Sequence, residues 1–290
     1  MKKLFAIALM VPLALVGESK DYPILVTPAW LNEHKTDADL VILQVSSLKF
    51  EFDNEHIPGA RYLWPSWLAP DSPEGAMNAP DPKKATEMLQ SLGISTDSHI
   101  ILCHVRNEVS PTARMFLSLE NLGLRGQVSF LNGGLEAWKK EGFPVTKDQP
   151  TARKGNFKVT VGSLLVDKEY VLKTIKSTNG MVVDARAQRF YDGDATGNPR
   201  DGHITGAKNI PYQEMIDQTN NTFKPSDQLQ PYFTPVAGKD KELVTYCFIG
   251  QTASVVYMAG RILGYDMKLY DGSMQEWSRI AELPMEKTQK

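Results

Sequence analysis

The chain repeats itself once, and that repeat limits the folds open to it. Asn121-Leu122-Gly123-Leu124, followed by Ser129-Phe130-Leu131-Asn132-Gly133-Gly134-Leu135-Glu136-Ala137-Trp138, returns as Ile262-Leu263-Gly264-Tyr265, followed by Lys268-Leu269-Tyr270-Asp271-Gly272-Ser273-Met274-Gln275-Glu276-Trp277. Earlier in each half, His56-Ile57-Pro58-Gly59-Ala60 is matched by His203-Ile204-Thr205-Gly206-Ala207. Landmarks in the same order at an offset of ~140 residues mark a tandem domain pair, since solenoid periods run only about 20 to 50 residues. The 290 residues, 42% hydrophobic and 23% charged, are enough for two globular cores without staples.

Each half alternates short apolar runs with helical patterns. Val41–Leu43, Ile100–Leu102 and Val128–Leu131 read as strands of the first half; Met181–Val183, Leu243–Tyr246 and Met267–Tyr270 are their counterparts. Helices are expected at Ser110–Leu122 and Thr252–Leu263, between the last two strands of each half. Strand, helix, strand spacing of this kind implies parallel sheets covered by helices on both faces. The expected division is a domain over 21–146, a polar linker over 147–155 and a second α/β domain over 156–286.

Residues 1–19 read as a secretory signal peptide. Lys2 and Lys3 precede the apolar run Leu4–Val16, which is too short to span a bilayer, and Gly17-Glu18-Ser19 follows. An exported protein, periplasmic or secreted, is therefore expected, with no membrane contact after cleavage between about residues 17 and 21. Loss of 1–19 moves the net charge from −2 to −3, which leaves no footprint for nucleic acid. Two cysteines, Cys103 and Cys247, are too few for a disulfide scaffold.

Cys247 follows a predicted strand at once, and Phe248-Ile249-Gly250-Gln251-Thr252 then leads into a helix. Ligands of parallel sheets gather at the carboxyl ends of strands, and a helix N-terminus there presents unpaired amides and the positive end of a dipole. A thiolate or a bound anion is stabilised at such a place. A lone cysteine is also commonly a buried structural thiol, and Cys247 by itself leaves both readings open.

Its surroundings make the pattern specific. Val182-Val183-Asp184-Ala185-Arg186, Asn198-Pro199-Arg200-Asp201-Gly202-His203, the Cys247–Ser254 loop and Asp271–Trp277 resemble the catalytic half of two-domain rhodaneses. Residues 21–146 resemble the non-catalytic half of that family. The resemblance implies two rhodanese-like α/β domains and a sulfurtransferase of the thiosulfate:cyanide type. Cys247 is then the catalytic residue, taking sulfane sulfur from a donor such as thiosulfate and passing it from a persulfide to cyanide or a thiol. It assigns substrate binding to Arg186, Arg200, Phe248, Ile249, Gly250, Gln251 and Thr252, and makes Asp184 an anchor for the loops. No metal or organic cofactor is implied. His56 and His203 open matching turns, so a shared structural job is expected, although in mercaptopyruvate-using relatives the first-domain histidine approaches the active site.

The first half departs from the pattern. Gln44-Val45-Ser46 answers Asp184-Ala185-Arg186. Counting back from Gly123 and Gly264 sets Arg106 opposite Cys247, with Cys103 left in a strand as a buried thiol. The first domain is expected to shape the cleft, with Trp64, Trp67 and Met77 as possible walls. The loop departs too. Thiosulfate-specialised relatives carry Cys-Arg-Lys-Gly and mercaptopyruvate enzymes Cys-Gly-Ser-Gly, whereas Phe248 and Ile249 are apolar. Such a rim suits a bulkier persulfide or a protein acceptor. Two other classes compete. A Cys-x5-Arg phosphatase lacks its arginine, because Ala253 holds that position. A non-catalytic persulfide carrier or protein-binding module of the same fold would bind sulfur without turnover.

Overall fold

The computed structural model describes residues 22–73 and 75–288. The signal-like segment 1–19 lies outside them. The first domain contains β1 (Leu25–Val26), α1 (Pro28–His34), β2 (Leu40–Val45), α2 (Lys49–Asn54), β3 (Arg61–Leu63), α3 (Pro82–Ser91), β4 (His99–His104), α4 (Val109–Leu119), β5 (Val128–Leu131) and α5 (Gly134–Lys140). The second contains β6 (Leu165–Val166), α6 (Lys168–Thr174), β7 (Gly180–Asp184), α7 (Gln188–Asp192), β8 (His203–Ile204), β9 (Lys208–Asn209), β10 (Ile216–Asp217), β11 (Thr222–Phe223), α8 (Ser226–Phe233), β12 (Glu242–Tyr246), α9 (Ala253–Ile262), β13 (Asp266–Tyr270), α10 (Ser273–Trp277) and β14 (Met285–Glu286).

Each domain is built on a five-stranded sheet, β1-β5-β4-β2-β3 in the first and β6-β13-β12-β7-β9 in the second. Every pairing in both sheets is parallel, as the near-continuous apolar strands require. Helix starts follow local chemistry. Thr27 and Asp81 cap α1 and α3 through their side chains, each with proline at the first helical position, and Asp167 caps α6.

Alternation along the strands sorts side chains into two layers per sheet. The outer layers stay within their own domains: Ile101 and Cys103 pack with Phe52 and Trp138 in the first, Val244 and Tyr246 with Trp277 in the second. The inner layers merge. Leu102 and Phe116 belong to the same apolar cluster as Leu243, Cys247 and Val256, with α4 packed on α9. Two domains that share one core are a fixed platform rather than a hinged pair.

Two sequence-based placements change. The segment 155–162 belongs structurally to the first domain, because Gly155, Phe157, Thr160 and Gly162 donate to carbonyls of Gln90, Ile94, Leu122 and Asn121. The residue opposite Cys247 is also different. Gln44 pairs with Cys103 as Asp184 pairs with Tyr246, so the next position in the first domain is His104, not Arg106. Helix α4 runs on through a π-helical turn, Glu120–Leu124, which upsets a count made from Gly123.

Candidate active site

Cys247 sits directly after β12, with its side chain in the inner layer between the domains. Its backbone N–H donates to Ser273 Oγ at 3.3 Å, and its carbonyl accepts from Met274 N–H at 3.0 Å. Ser273 is a fully buried residue at φ 48°, a left-handed conformation costly for a side-chain-bearing residue, and its hydroxyl in turn donates to Tyr270 O at 3.0 Å. In the first domain the same slot holds Gly134, at φ 60°. Ser273 thus stands in a glycine position and is tied to the Cys247 amide, a role the sequence did not mark.

The loop that follows leaves its backbone donors unpaired. The N–H groups of Phe248, Ile249, Gly250, Gln251, Thr252 and Ala253 donate to no described acceptor. Thr252 stands at the N-cap of α9, but its hydroxyl does not cap the helix, so the positive end of the dipole is left to a ligand. Gly250, at φ +81°, makes the reversal within the loop. Six amides without partners directly after one thiol are donors of the kind that suit an anion or a sulfur bearing negative charge.

Access is narrower than an open cradle. Cys247 is only 1% exposed, and both cysteines are unpaired. Phe248, partly exposed, meets Phe190 of α7 edge to face at 5.2 Å. The Arg186 guanidinium carbon lies 5.1 Å from the Phe248 ring centre and that of Arg189 lies 4.4 Å from the Phe190 ring centre. Two rings in edge-to-face contact, each with a guanidinium against it, thus stand beside the loop that follows the thiol. Phe190 was not legible as a site residue, since nothing in its local pattern marks it.

Arg186 is buried and bound to its own strand end. Its Nη2 donates to Asp184 Oδ2 at 2.6 Å and to Gly202 O at 2.7 Å, and Nε donates to the same carboxylate. Asp184 also accepts from the Arg186 amide and, at 2.8 Å, from Tyr246 OH, which makes it the loop anchor the sequence implied. Burial works against the guanidinium charge, but Asp184, with Tyr246 and Cys247 behind it, more than offsets this and holds its pKa above the usual value. Nη1 alone is buried without a partner, so its two N–H groups are the donors of Arg186 left unpaired.

Arg200 does not reach the site. Nε donates to Ser278 O, Nη1 to Ala281 and Leu283, and Nη2 to Trp277 and Ile280. All five of its donors are occupied by backbone carbonyls, so none remains for a donor molecule. The substrate role given to Arg200 is therefore corrected to one of tying down the chain after α10.

The histidines are structural in both halves. His56 faces Phe52 O at 2.7 Å and Asp148 O at 3.0 Å and stacks on Phe52; His203 faces Tyr191 O at 2.7 Å and Glu286 Oε1 at 3.2 Å and stacks on Tyr191. Cys103 is fully buried, and burial pushes its thiol pKa far up. Met77 is buried in the shared core, while Trp64 and Trp67 are 43% and 40% exposed.

The first domain contributes to the site through contacts the sequence did not mark. Gln275 exchanges two hydrogen bonds with the backbone of Ala76, and Asp271 accepts from Ala79 N–H at 3.0 Å and from Arg114 Nη2 at 2.6 Å. The reverse clasp is present too, with Phe223 N–H donating to Asn132 Oδ1 at 2.8 Å. Two cavities of about 400 and 520 Å³ lie along this seam, and Cys247 lines neither.

The model of the rhodanese-like domain matches the chain twice, over residues 27–141 and 167–280. The chain belongs to the rhodanese family. It is 30% identical over 280 residues to the sulfur carrier protein TtuD of Thermus thermophilus, covering 91% of this chain and 96% of that protein. With thiosulfate sulfurtransferase of Rattus norvegicus it shares 30% over 279 residues, 90% of this chain and 93% of the rat protein. Among solved structures, SseA of Escherichia coli, described with the 3-mercaptopyruvate sulfotransferases, superposes with a TM-score of 0.75 at 26% identity over 87% of this chain and 99% of its own. Both rhodanese domains of this family are thus present in one chain, each a parallel sheet with helices on both faces.

Proposed function

We propose that this rhodanese is a sulfurtransferase whose Cys247 carries sulfane sulfur as a persulfide between a small donor and a thiophilic acceptor. The observation that carries the reading is the run of six unpaired amides immediately after the thiol. In the first step the Cys247 thiolate attacks the outer sulfur of thiosulfate; a sulfur–sulfur bond forms on the enzyme, and sulfite leaves with the electron pair of the bond that breaks. In the second, cyanide or a thiolate attacks the terminal sulfur and Cys247 departs as thiolate, so no external oxidant or reductant is needed. The amides and Arg186 Nη1 supply stabilisation where negative charge resides.

The names of the relatives do not select the donor, since they cover thiosulfate, mercaptopyruvate and carrier proteins. The apolar Phe248 and Ile249 disfavour a bare dianion and suit a bulkier persulfide or a protein acceptor. A second reading, a persulfide carrier with little turnover, draws support from the 1% exposure of Cys247. We further infer export from residues 1–19, which N-terminal sequencing of the mature protein checks by a start between about residues 17 and 21.

A donor panel of thiosulfate, mercaptopyruvate and glutathione persulfide, with cyanide as acceptor, tests the enzyme. Cys247→Ser is expected to abolish transfer while Cys103→Ser retains it, and mass spectrometry should find about 32 Da added at Cys247. Equal loss in both variants overturns the assignment. A stable added sulfur with negligible turnover selects the carrier.

A further inference from the structure

Arg114 lies on α4, in the domain without the nucleophile, yet its guanidinium is directed to the loop behind Cys247. It is completely buried. Nη2 pairs with Asp271 at 2.6 Å, Nη1 lies 3.5 Å from the Gly250 carbonyl, and Nε has no partner. Ser254 Oγ donates to the same carbonyl at 2.9 Å. A Cβ added at Gly250 would stand 2.8 Å from Arg114 Nη1, so the guanidinium lies against the loop backbone.

The consequence follows from peptide geometry. In a planar trans peptide the carbonyl and the following N–H point to opposite sides. Holding the Gly250 carbonyl toward Arg114 and Ser254 turns the Gln251 N–H, one of the six unpaired amides, the other way. Turning that plane over changes ψ of Gly250 and φ of Gln251, and Gly250, having no Cβ, restricts its own ψ least of any residue. Turned over, the plane would present a carbonyl oxygen where it now presents an N–H, and would repel a charged sulfur.

We propose that Arg114 is a positioning residue supplied by the non-catalytic domain, which, with Ser254, locks the Gly250–Gln251 peptide so that its amide and not its carbonyl serves the sulfur on Cys247. The inference rests on Cys247 being the sulfur-bearing nucleophile.

The test is the pH profile of Cys247 alkylation by iodoacetamide, with the modified site confirmed by peptide mass spectrometry and thermal melting measured beside it. Arg114→Met is expected to raise the pH midpoint by about one unit and to slow persulfide formation about ten-fold. Arg114→Lys should recover part of the shift, because it keeps the charge beside Asp271 but loses the fork. Ser254→Ala should move the midpoint the same way and decides the matter if Arg114→Met does not fold. Arg261→Met removes another interdomain contact, the 2.6 Å pair with Glu120, and is expected to leave the midpoint unchanged. An unmoved midpoint in Arg114→Met, or in Ser254→Ala, or an equal shift in Arg261→Met, overturns the proposal. Because alkylation needs no sulfur donor, failure of Cys247 to gain sulfur in the wild type would count against the proposed function separately.

Discussion

His104 occupies in the first sheet the place Cys247 occupies in the second. The register of the two central strands sets this equivalence, and both side chains face the layer between the domains. The imidazole is fully buried 5.5 Å from Phe130, with Nδ1 3.2 Å from Arg106 O and Nε2 unpartnered. One copy of the duplicated position thus holds a thiol and the other an imidazole.

Burial lowers the His104 pKa from 6.5 to about 4. Between these values the unfolded chain binds a proton that the folded chain does not, so stability rises with pH across that window and is lost as pH falls through it. Acidification through the whole window costs about 3 kcal/mol of stability. His104→Gln should flatten this part of the profile, which urea unfolding at pH 4.5 and 7 measures. An unchanged slope would show that His104 does not titrate there.

Arg186 and Asp184 are coupled too tightly for a single substitution to report on substrate alone. Arg186→Ala leaves a buried carboxylate without its cation and is expected to cost roughly 3–5 kcal/mol. Asp184→Asn together with Arg186→Gln should restore much of that stability while the donor KM stays raised. Recovery of both in the double variant would make Arg186 purely structural.

Arg200→Ala removes five bonds to carbonyls and should lower stability by about 3 kcal/mol with no change in donor KM. Parallel melting and steady-state kinetics separate the two effects. A raised KM in a protein of undiminished stability would return Arg200 to the site.

Phe248→Ala removes the ring that Phe190 meets edge-on. The Cys247 alkylation rate is expected to rise about ten-fold, at a cost of about 1–2 kcal/mol. A rate no faster than wild type would mean that another group covers the sulfur.

Much of this fold was legible because the chain states it twice. The strands around Ile100–Leu102 and Leu243–Tyr246 could be paired from repetition, and parallel order followed from their apolar runs. Cys247 and its amide loop were readable because strand, thiol, glycine and helix are contiguous in sequence. Arg114 and Ser273 were not, since one acts from 136 residues away from Gly250 and the other through a backbone angle. Arg200 was misplaced for a related reason: sequence identifies a cation, and only tertiary structure reveals whether carbonyls or solvent receive its hydrogens.

The reciprocal grip between Ala79 and Asp271 and between Phe223 and Asn132 carries a consequence for how such a chain can change. Neither half can drift freely after duplication, because each loop that wraps its sister is also a part of the sister's own surface. A half that carried no chemistry of its own would therefore still have to keep these loops, because they mould the surface of the other half.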